Sequence, residues 1–281
     1  MGEDLGWDED GYAELVSEGL TAPFEGWDFS PWEGRLTEPE SRLPWSYREL
    51  VSDRLSGAGA LLDLGTGGGE FLSSLAPLPA RTAATESYPP NVPVARRRLA
   101  PLGVEVAVPE DDDALPFPDS SFDLVLSRHT SYAPDELRRV MTDDGVLVTQ
   151  QVGGRDLEEI NAALGSPPHA YRDFCLDSAA EELTGAGWAV EWGAEARVAE
   201  RLPDIGALVL FLRLTPWHVP DFDVERHDTA LRALHREMRA GRPLEVSCHR
   251  FALVARPNRA AEGDTRRSDS AKTPRRPTPE R

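Results

Sequence analysis

Between Ala60 and Leu75 the chain reads ALLDLGTGGGEFLSSL, a short apolar run that breaks into four glycines within five residues. That order reads as a buried parallel strand, a turn and the first turn of a helix. Glycine lets the backbone approach a ligand closely, and N–H groups at a helix start favour polar or negative ligand atoms. One small molecule is therefore expected on this loop.

Spacing narrows the ligand. A dinucleotide loop wants G-x-G-x-x-G, with the third glycine allowing close helix–strand packing. Here Gly65 and Gly67 are followed by Glu70 at that place. Glu86 ends the next apolar stretch, Arg81 to Ser87, 21 positions after Gly65. A carboxylate there can accept from both hydroxyls of a ribose, a device that NAD enzymes also use, or it is a solvated acid at a strand end. The third element is PEDDDALPFPDSSFDLVLSRHT, Pro109 to Thr130, with three adjacent aspartates before Ala114 and an apolar strand after Phe122.

The loop Asp63-Leu64-Gly65-Thr66-Gly67-Gly68-Gly69 resembles the D-x-G-x-G-x-G loop of class I S-adenosylmethionine-dependent methyltransferases, and Pro109 to Thr130 resembles their type 11 group. The resemblance spans about residues 45 to 155. It implies a Rossmann-like α/β fold: a mostly parallel sheet with an antiparallel last strand, helices on both faces, and here a capping insertion before the last strand. It implies S-adenosylmethionine as cofactor and no metal. Asp63 would organise the loop, with Gly65, Thr66, Gly67 and Gly69 around the ligand. Glu86 would hold the ribose, and Asp113 with Ala114 the adenine, Asp112 being a near equivalent; Ser127 borders the same site. Tyr47 either closes over the methionine end or is a helix core residue.

Charge bears on the acceptor. The net charge is −19, and the last 23 residues hold seven basic against four acidic groups, which leaves −22 on residues 1 to 258. So acidic a surface repels phosphate backbones and argues against a nucleic-acid substrate. A small-molecule acceptor is expected; oligomeric state is not legible. Cys175 and Cys248 are too few and too far apart for a disulfide framework or zinc site, which fits a reducing cytoplasm. MGEDLGWDED lacks the basic region and apolar core of a signal peptide, and the longest strongly apolar run, Ala207 to Leu212, is far below the roughly 20 residues that cross a bilayer.

Along the chain, residues 1 to 40 read as an irregular acidic leader with aromatic anchors at Trp7, Trp27 and Trp32. Residues 41 to 258 form the methyltransferase-like domain. A helix is expected over Trp45 to Leu55, then strands at Ala60 to Leu64, Arg81 to Thr85, Val104 to Val108, Phe122 to Ser127 and Gly145 to Gln151. Helices are expected around Gly69 to Leu75, Val92 to Leu102, Pro134 to Met141, Arg155 to Leu164 and Leu176 to Ala186. An extended stretch, Ala189 to Arg201, and a final strand, Val246 to Ala255, are separated by an insertion at about 203 to 245, far longer than a hairpin loop. It carries a helix around Thr229 to Arg239 and is either a substrate cap or a core extension. Residues 259 to 281, rich in Arg, Thr, Pro and Ser, read as a disordered tail.

Methyl transfer to a protonated nucleophile needs a base. His129 follows the fourth strand at its C-terminal end, where open α/β sheets bind ligands, and is the candidate base or a structural histidine. Arg128 either clamps an anionic substrate group or pairs with an acid. Gln151 is a candidate pocket residue. Trp217 and His218 are candidate substrate contacts or packing. Two other readings remain at this point: a non-catalytic S-adenosylmethionine-binding regulator and an NAD-dependent oxidoreductase.

Overall fold

The computed structural model describes residues 11–24, 30–32, 34–36 and 39–258. Trp7, Trp27 and the expected disordered tail lie outside these residues. Seven strands form one sheet: β1 Ala60–Leu64, β2 Arg81–Thr85, β3 Glu105–Ala107, β4 Phe122–Arg128, β5 Met141–Val152, β6 Trp188–Leu202 and β7 Leu244–Pro257, in the order β3-β2-β1-β4-β5-β7-β6. The first five run parallel, and β7 is antiparallel to both β5 and β6. The order reverses beside β1, which places a ligand crevice over the ends of β1 and β4.

β1 is buried at all five positions because helices cover both faces. On one face Leu61, Leu124, Leu126, Val148 and Val254 pack with Tyr47 and Val51 of α2 (Tyr47–Leu55) and with Ala95 and Leu99 of α4 (Asn91–Leu99). On the other, Leu62, Leu64, Val125, Leu147 and Phe251 meet Leu137 and Val140 of α5 (Pro134–Val140) and Leu183 of α7 (Leu176–Gly185). The helix after the glycine loop, α3 (Glu70–Ser73), is a single turn, shorter than expected.

A third core lies beyond the ends of β6 and β7. It joins Tyr12 and Val16 of α1 (Tyr12–Thr21), Ile160 of α6 (Glu158–Ala163), most of α8 (Ile205–Leu214), and Leu231 and Met238 of α9 (Val224–Arg239) to Val246 and Cys248. Leu202 and Leu244 stand opposite each other in the sheet, so the chain leaves for α8 and α9 and returns at one point. α8 is apolar nearly all round because it is enclosed, with seven of its ten residues buried. α1 approaches it at Gly19, where a Cβ would come within 2.6 Å of the Gly206 carbonyl oxygen.

The leader is thus helical over Tyr12–Thr21 where an irregular segment was expected. Its buried Tyr12, Val16 and Gly19 follow helical spacing, but acids and a glycine among them hide the stripe. Arg35 ties leader to insertion. Its guanidinium donates to Glu18 at 2.8 Å and to Asp204 at 2.7 and 2.8 Å, and lies 4.3 Å over the Trp32 ring. Asp204 in turn caps α8 by accepting the Ala207 N–H at 3.0 Å. Among the described residues, no helix is long and apolar enough to cross a membrane.

Where β7 meets the third core, Asp156 accepts from Arg250 Nη1 at 2.6 Å and from the His249 amide at 2.8 Å, and both members of the pair are about nine-tenths buried. Deleting one partner of such a pair strands the other charge. Asp156→Ala is expected to cost about 3–5 kcal/mol, read as a lower urea midpoint at unchanged slope; a midpoint within experimental error of the parent would contradict this.

Candidate functional site

β1 delivers the chain into a loop whose Gly65, Gly67 and Gly69 have φ of 57°, 63° and 82°, the left-handed region that suits glycine. A Cβ on Gly65 would lie 2.7 Å from the Thr130 side chain, so the loop and the end of β4 touch. The Thr66 amide donates to the Thr85 carbonyl at 2.8 Å and the Gly65 amide to Thr85 Oγ1 at 3.2 Å, which bind the loop to the end of β2.

Two buried carboxylates flank the loop. Glu86, 5% exposed, accepts the Tyr88 N–H at 2.7 Å. Burial pushes its carboxyl up, and the amides of Tyr88, Gly67 and Ser87 pull it back. Asp63, also 5% exposed, is raised to about 7 by burial, with the Glu86 charge adding to the rise and Arg128 opposing it. The Thr66 hydroxyl lies near enough to draw Asp63 down. Yet Thr66 Oγ1 and Asn91 Nδ2 are buried without a completed hydrogen bond. Buried polar atoms short of a full hydrogen bond, the Glu86 carboxylate and a glycine cradle fit a polar nucleoside ligand.

The aspartate run sorts itself by direction. Asp112 accepts from Ser131 Oγ at 2.5 Å and so turns to the end of β4. Asp113 and Ala114 are exposed, and Asp113 lies on the side of Glu136 in α5, whose carboxyl it raises against the stronger pull of Arg139. Arg139 donates to Leu115 O, Phe117 O and Asp119, which fixes the whole segment.

At the ends of β4 and β5, neighbouring residues face opposite ways. Ser127 is fully buried, its hydroxyl donating to Thr130 O at 3.1 Å. Gln151 Nε2 lies 2.8–3.1 Å from Ser127 Oγ, Thr149 Oγ1 and Thr130 O, three acceptors for its two N–H groups. Both side chains cross-link strand ends. Arg128 and Gln150 point the other way, where Arg128 Nη2 donates to Glu40 Oε1 at 2.8 Å; it pairs with an acid, as one of its two expected roles had it. His129 follows in a left-handed conformation, φ 59°, rare for a residue with a side chain. Its amide donates to Gln150 O at 2.8 Å, and its Nε2 lies 3.3 Å from Gln150 Nε2 and 4.0 Å from Glu40 Oε1.

Other candidates sit elsewhere. Tyr47 is buried, its hydroxyl donating to Val148 O at 3.2 Å, and burial holds the phenol well above its ordinary range; this is a core place. His218 is buried in the third core, its Nε2 3.3 Å from Leu157 O and its ring edge-on to His169 and Phe211 at 4.5 and 5.1 Å. Trp217 beside it is half-buried. The structure brings neither to the glycine loop. Sequence reasoning missed Glu40 and Gln150, which meet at His129, and Trp45, which bonds to Gln150. Only the amide pair Gln150-Gln151 was a visible signal there.

Residues 62–149 match the profile of the methyltransferase domain family, type 11. This stretch is a class I methyltransferase domain. The chain is accordingly an S-adenosylmethionine-dependent methyltransferase, with that molecule as its methyl donor. Similar folds include BH2331 of Bacillus halodurans C-125, assigned to the methyltransferases, with TM-score 0.55 and 17% identity over 75% of this chain and 99% of that one. YcgJ of Bacillus subtilis aligns with TM-score 0.53 and 16% identity, covering 76% and 99%. A functionally unknown protein of Deinococcus radiodurans R1 gives 0.52 and 18%, covering 88% and 98%. At these identities the likeness is one of fold. A search of curated protein sequences found no match.

The observed strands β1 and β2 have the expected bounds, and the last strand, β7, is antiparallel as expected. α3 has only one turn, so the backbone donors available to a ligand are the amides of the loop and of that single turn.

Proposed function

We propose that this methyltransferase acts on a small-molecule acceptor held over the ends of β4 and β5, beneath the α1–α8–α9 layer, with His129 taking the acceptor's proton. The observation that carries the reading is the left-handed His129, set one residue before the Thr130 that touches Gly65 and held by Gln150. Strained backbone at a strand end is kept where a site needs a side chain aimed out of the sheet. Support for a small acceptor is the strongly acidic composition, which disfavours a phosphate backbone.

Roles follow from chemistry. Glu86 would accept from the ribose hydroxyls, and Asp112, rather than the exposed Asp113, would accept from the adenine amino group. Gly65, Thr66, Gly67 and Gly69 would line the loop, with Asp63 behind it. When bound, S-adenosylmethionine would supply an electrophilic methyl on a sulfonium for the acceptor's lone pair. His129 removes the proton that the methylated acceptor must lose. Ser127 and Gln151 keep the strand ends rigid, and Arg128 holds Glu40. Trp217, His218 and the rest of the 203–245 insertion act as a cap through packing.

The test is transfer of labelled methyl from S-adenosylmethionine into metabolite extracts, with the product identified by mass. With an acceptor in hand, His129→Ala is expected to lower turnover by roughly 10²–10⁴-fold while S-adenosylhomocysteine affinity stays within about twofold. Full activity of that variant would remove His129 from the reaction.

A further inference from the structure

The densest polar contact at the ends of β4 and β5 centres on Glu40, which no motif marks. Glu40 lies in the 3-10 turn Pro39–Arg42. Its Oε1 accepts from Arg128 Nη2 at 2.8 Å and from Gln150 Nε2 at 2.9 Å, and its Oε2 lies 3.2 Å from the same amide. The turn is anchored one step further on, where Arg42 pairs with Glu200 and donates to Ala199 O at 2.7 Å on β6. Glu40 is therefore held from both sides.

Trp45 settles which way Gln150 points. Its indole N–H donates to Gln150 Oε1 at 2.7 Å, and an indole nitrogen cannot accept. The amide nitrogen must then face Glu40 and His129. In the neutral imidazole, Nε2 at 3.3 Å is an acceptor for that amide. Once the ring is protonated both of its nitrogens are donors. Gln150 presents only N–H groups there and cannot receive a proton from Nε2. Glu40 Oε1, 4.0 Å away, is an acceptor within a small side-chain adjustment, and apo geometries of this kind commonly tighten in the working complex.

Among the described residues, the charged groups facing this corner include Arg128 from β4, Glu40 from the turn and Asp63 from β1, with the neutral Gln150 on β5 and the Tyr47 hydroxyl on α2. Arg128 opposes a second positive charge on its neighbour. Glu40 offsets it.

We infer that Glu40 is a positioning residue for His129, supplying the acceptor and the negative charge that hold the imidazolium formed when His129 takes the acceptor's proton. With the neutral ring accepting from the Gln150 amide at Nε2, that nitrogen is the one that takes the proton, and it then becomes the donor that Glu40 accepts. The inference rests on the reading of His129 as the proton acceptor.

The experiment is a proton and carbon NMR titration of the His129 ring in the full-length protein, with its signal assigned by loss in His129→Asn. It is run on the parent, Glu40→Gln and Glu40→Asp beside turnover profiles against pH. In Glu40→Gln the ring is expected to titrate about one unit lower, the acidic limb of kcat/KM to move down with it, and the plateau to fall by about tenfold. Glu40→Asp should recover part of each, and S-adenosylhomocysteine affinity should hold within about twofold, showing an intact fold. An unchanged His129 titration in a Glu40→Gln protein that still binds S-adenosylhomocysteine would overturn the role of Glu40 and leave the His129 reading to its own variant. Full turnover by His129→Ala would overturn that reading, and this proposal with it.

Discussion

Glu86→Gln is expected to weaken S-adenosylhomocysteine binding by roughly a hundredfold. The Glu86 carboxylate is buried beside the loop, fixed by the Tyr88 N–H at 2.7 Å and drawn on by the amides of Gly67 and Ser87, and it would accept from the hydroxyls of a ribose brought there. A hydrogen bond to a charged acceptor is worth about 1.5–3 kcal/mol, and losing the charge on two such bonds amounts to roughly 3 kcal/mol, or about a hundredfold. The amide cannot restore them, because it exchanges one acceptor for a donor that confronts the amides already aimed at this position. Gly67 is among those amides, so the substitution also loosens the loop. Calorimetric titration of parent and variant, with NAD as a comparison ligand, measures the effect. Unchanged affinity in a folded variant would take Glu86 out of the site.

That Glu86 was visible in the sequence, and Glu40 was not, has a physical cause. Strands covered on both faces read as continuous apolar runs, and a glycine or acid at the end marks where they leave the core. This is why Ala60–Leu64 has the bounds that its pattern implies and Gly65 falls at the crevice, while Arg81–Thr85, exposed at its start, is buried only towards the end that delivers Glu86. Glu40 reaches the same crevice from a turn 88 positions before Arg128 and 110 before Gln150, and no local pattern records so distant a meeting. The choice between Gln150 and Gln151 turns on strand alternation, and adjacent amides look alike until a register is known. The same holds for Asp112 and Asp113, whose directions follow from Ser131 and Glu136. The Trp217-His218 pair reads equally as ligand contact or packing, and the ring contacts of His218 with His169 and Phe211 put it in a core. The missed helix α1 shows the converse: a stripe of only three buried positions, one of them glycine, is too thin to be seen among acids.

Asp63→Asn is expected to raise the melting temperature at pH 8 and to leave it nearly unchanged at pH 4. In the unfolded chain the Asp63 carboxyl ionises near its ordinary 3.8, whereas burial raises the folded value to about 7. Between those two pH values the folded protein keeps a proton that the unfolded chain has released, so stability falls as pH rises by about 1.4 kcal/mol per unit. Below the unfolded value both states are protonated and nothing is lost; above about 7 the whole penalty is present. Some three units give a ceiling on the order of 4 kcal/mol, which relaxation and water entry reduce, as does the lost attraction of Arg128. Asparagine keeps the shape and cannot ionise, so at pH 8 it should melt roughly 5–10 °C higher. A variant melting at or below the parent at pH 8 would show that Asp63 is not a buried charge held at a cost. The gain in stability should come with weaker S-adenosylhomocysteine binding, because the same carboxylate orders Thr66 and the loop beneath the ligand. An ionised group that destabilises the empty fold and is balanced only when the site is filled makes stability and binding change in opposite directions on one substitution.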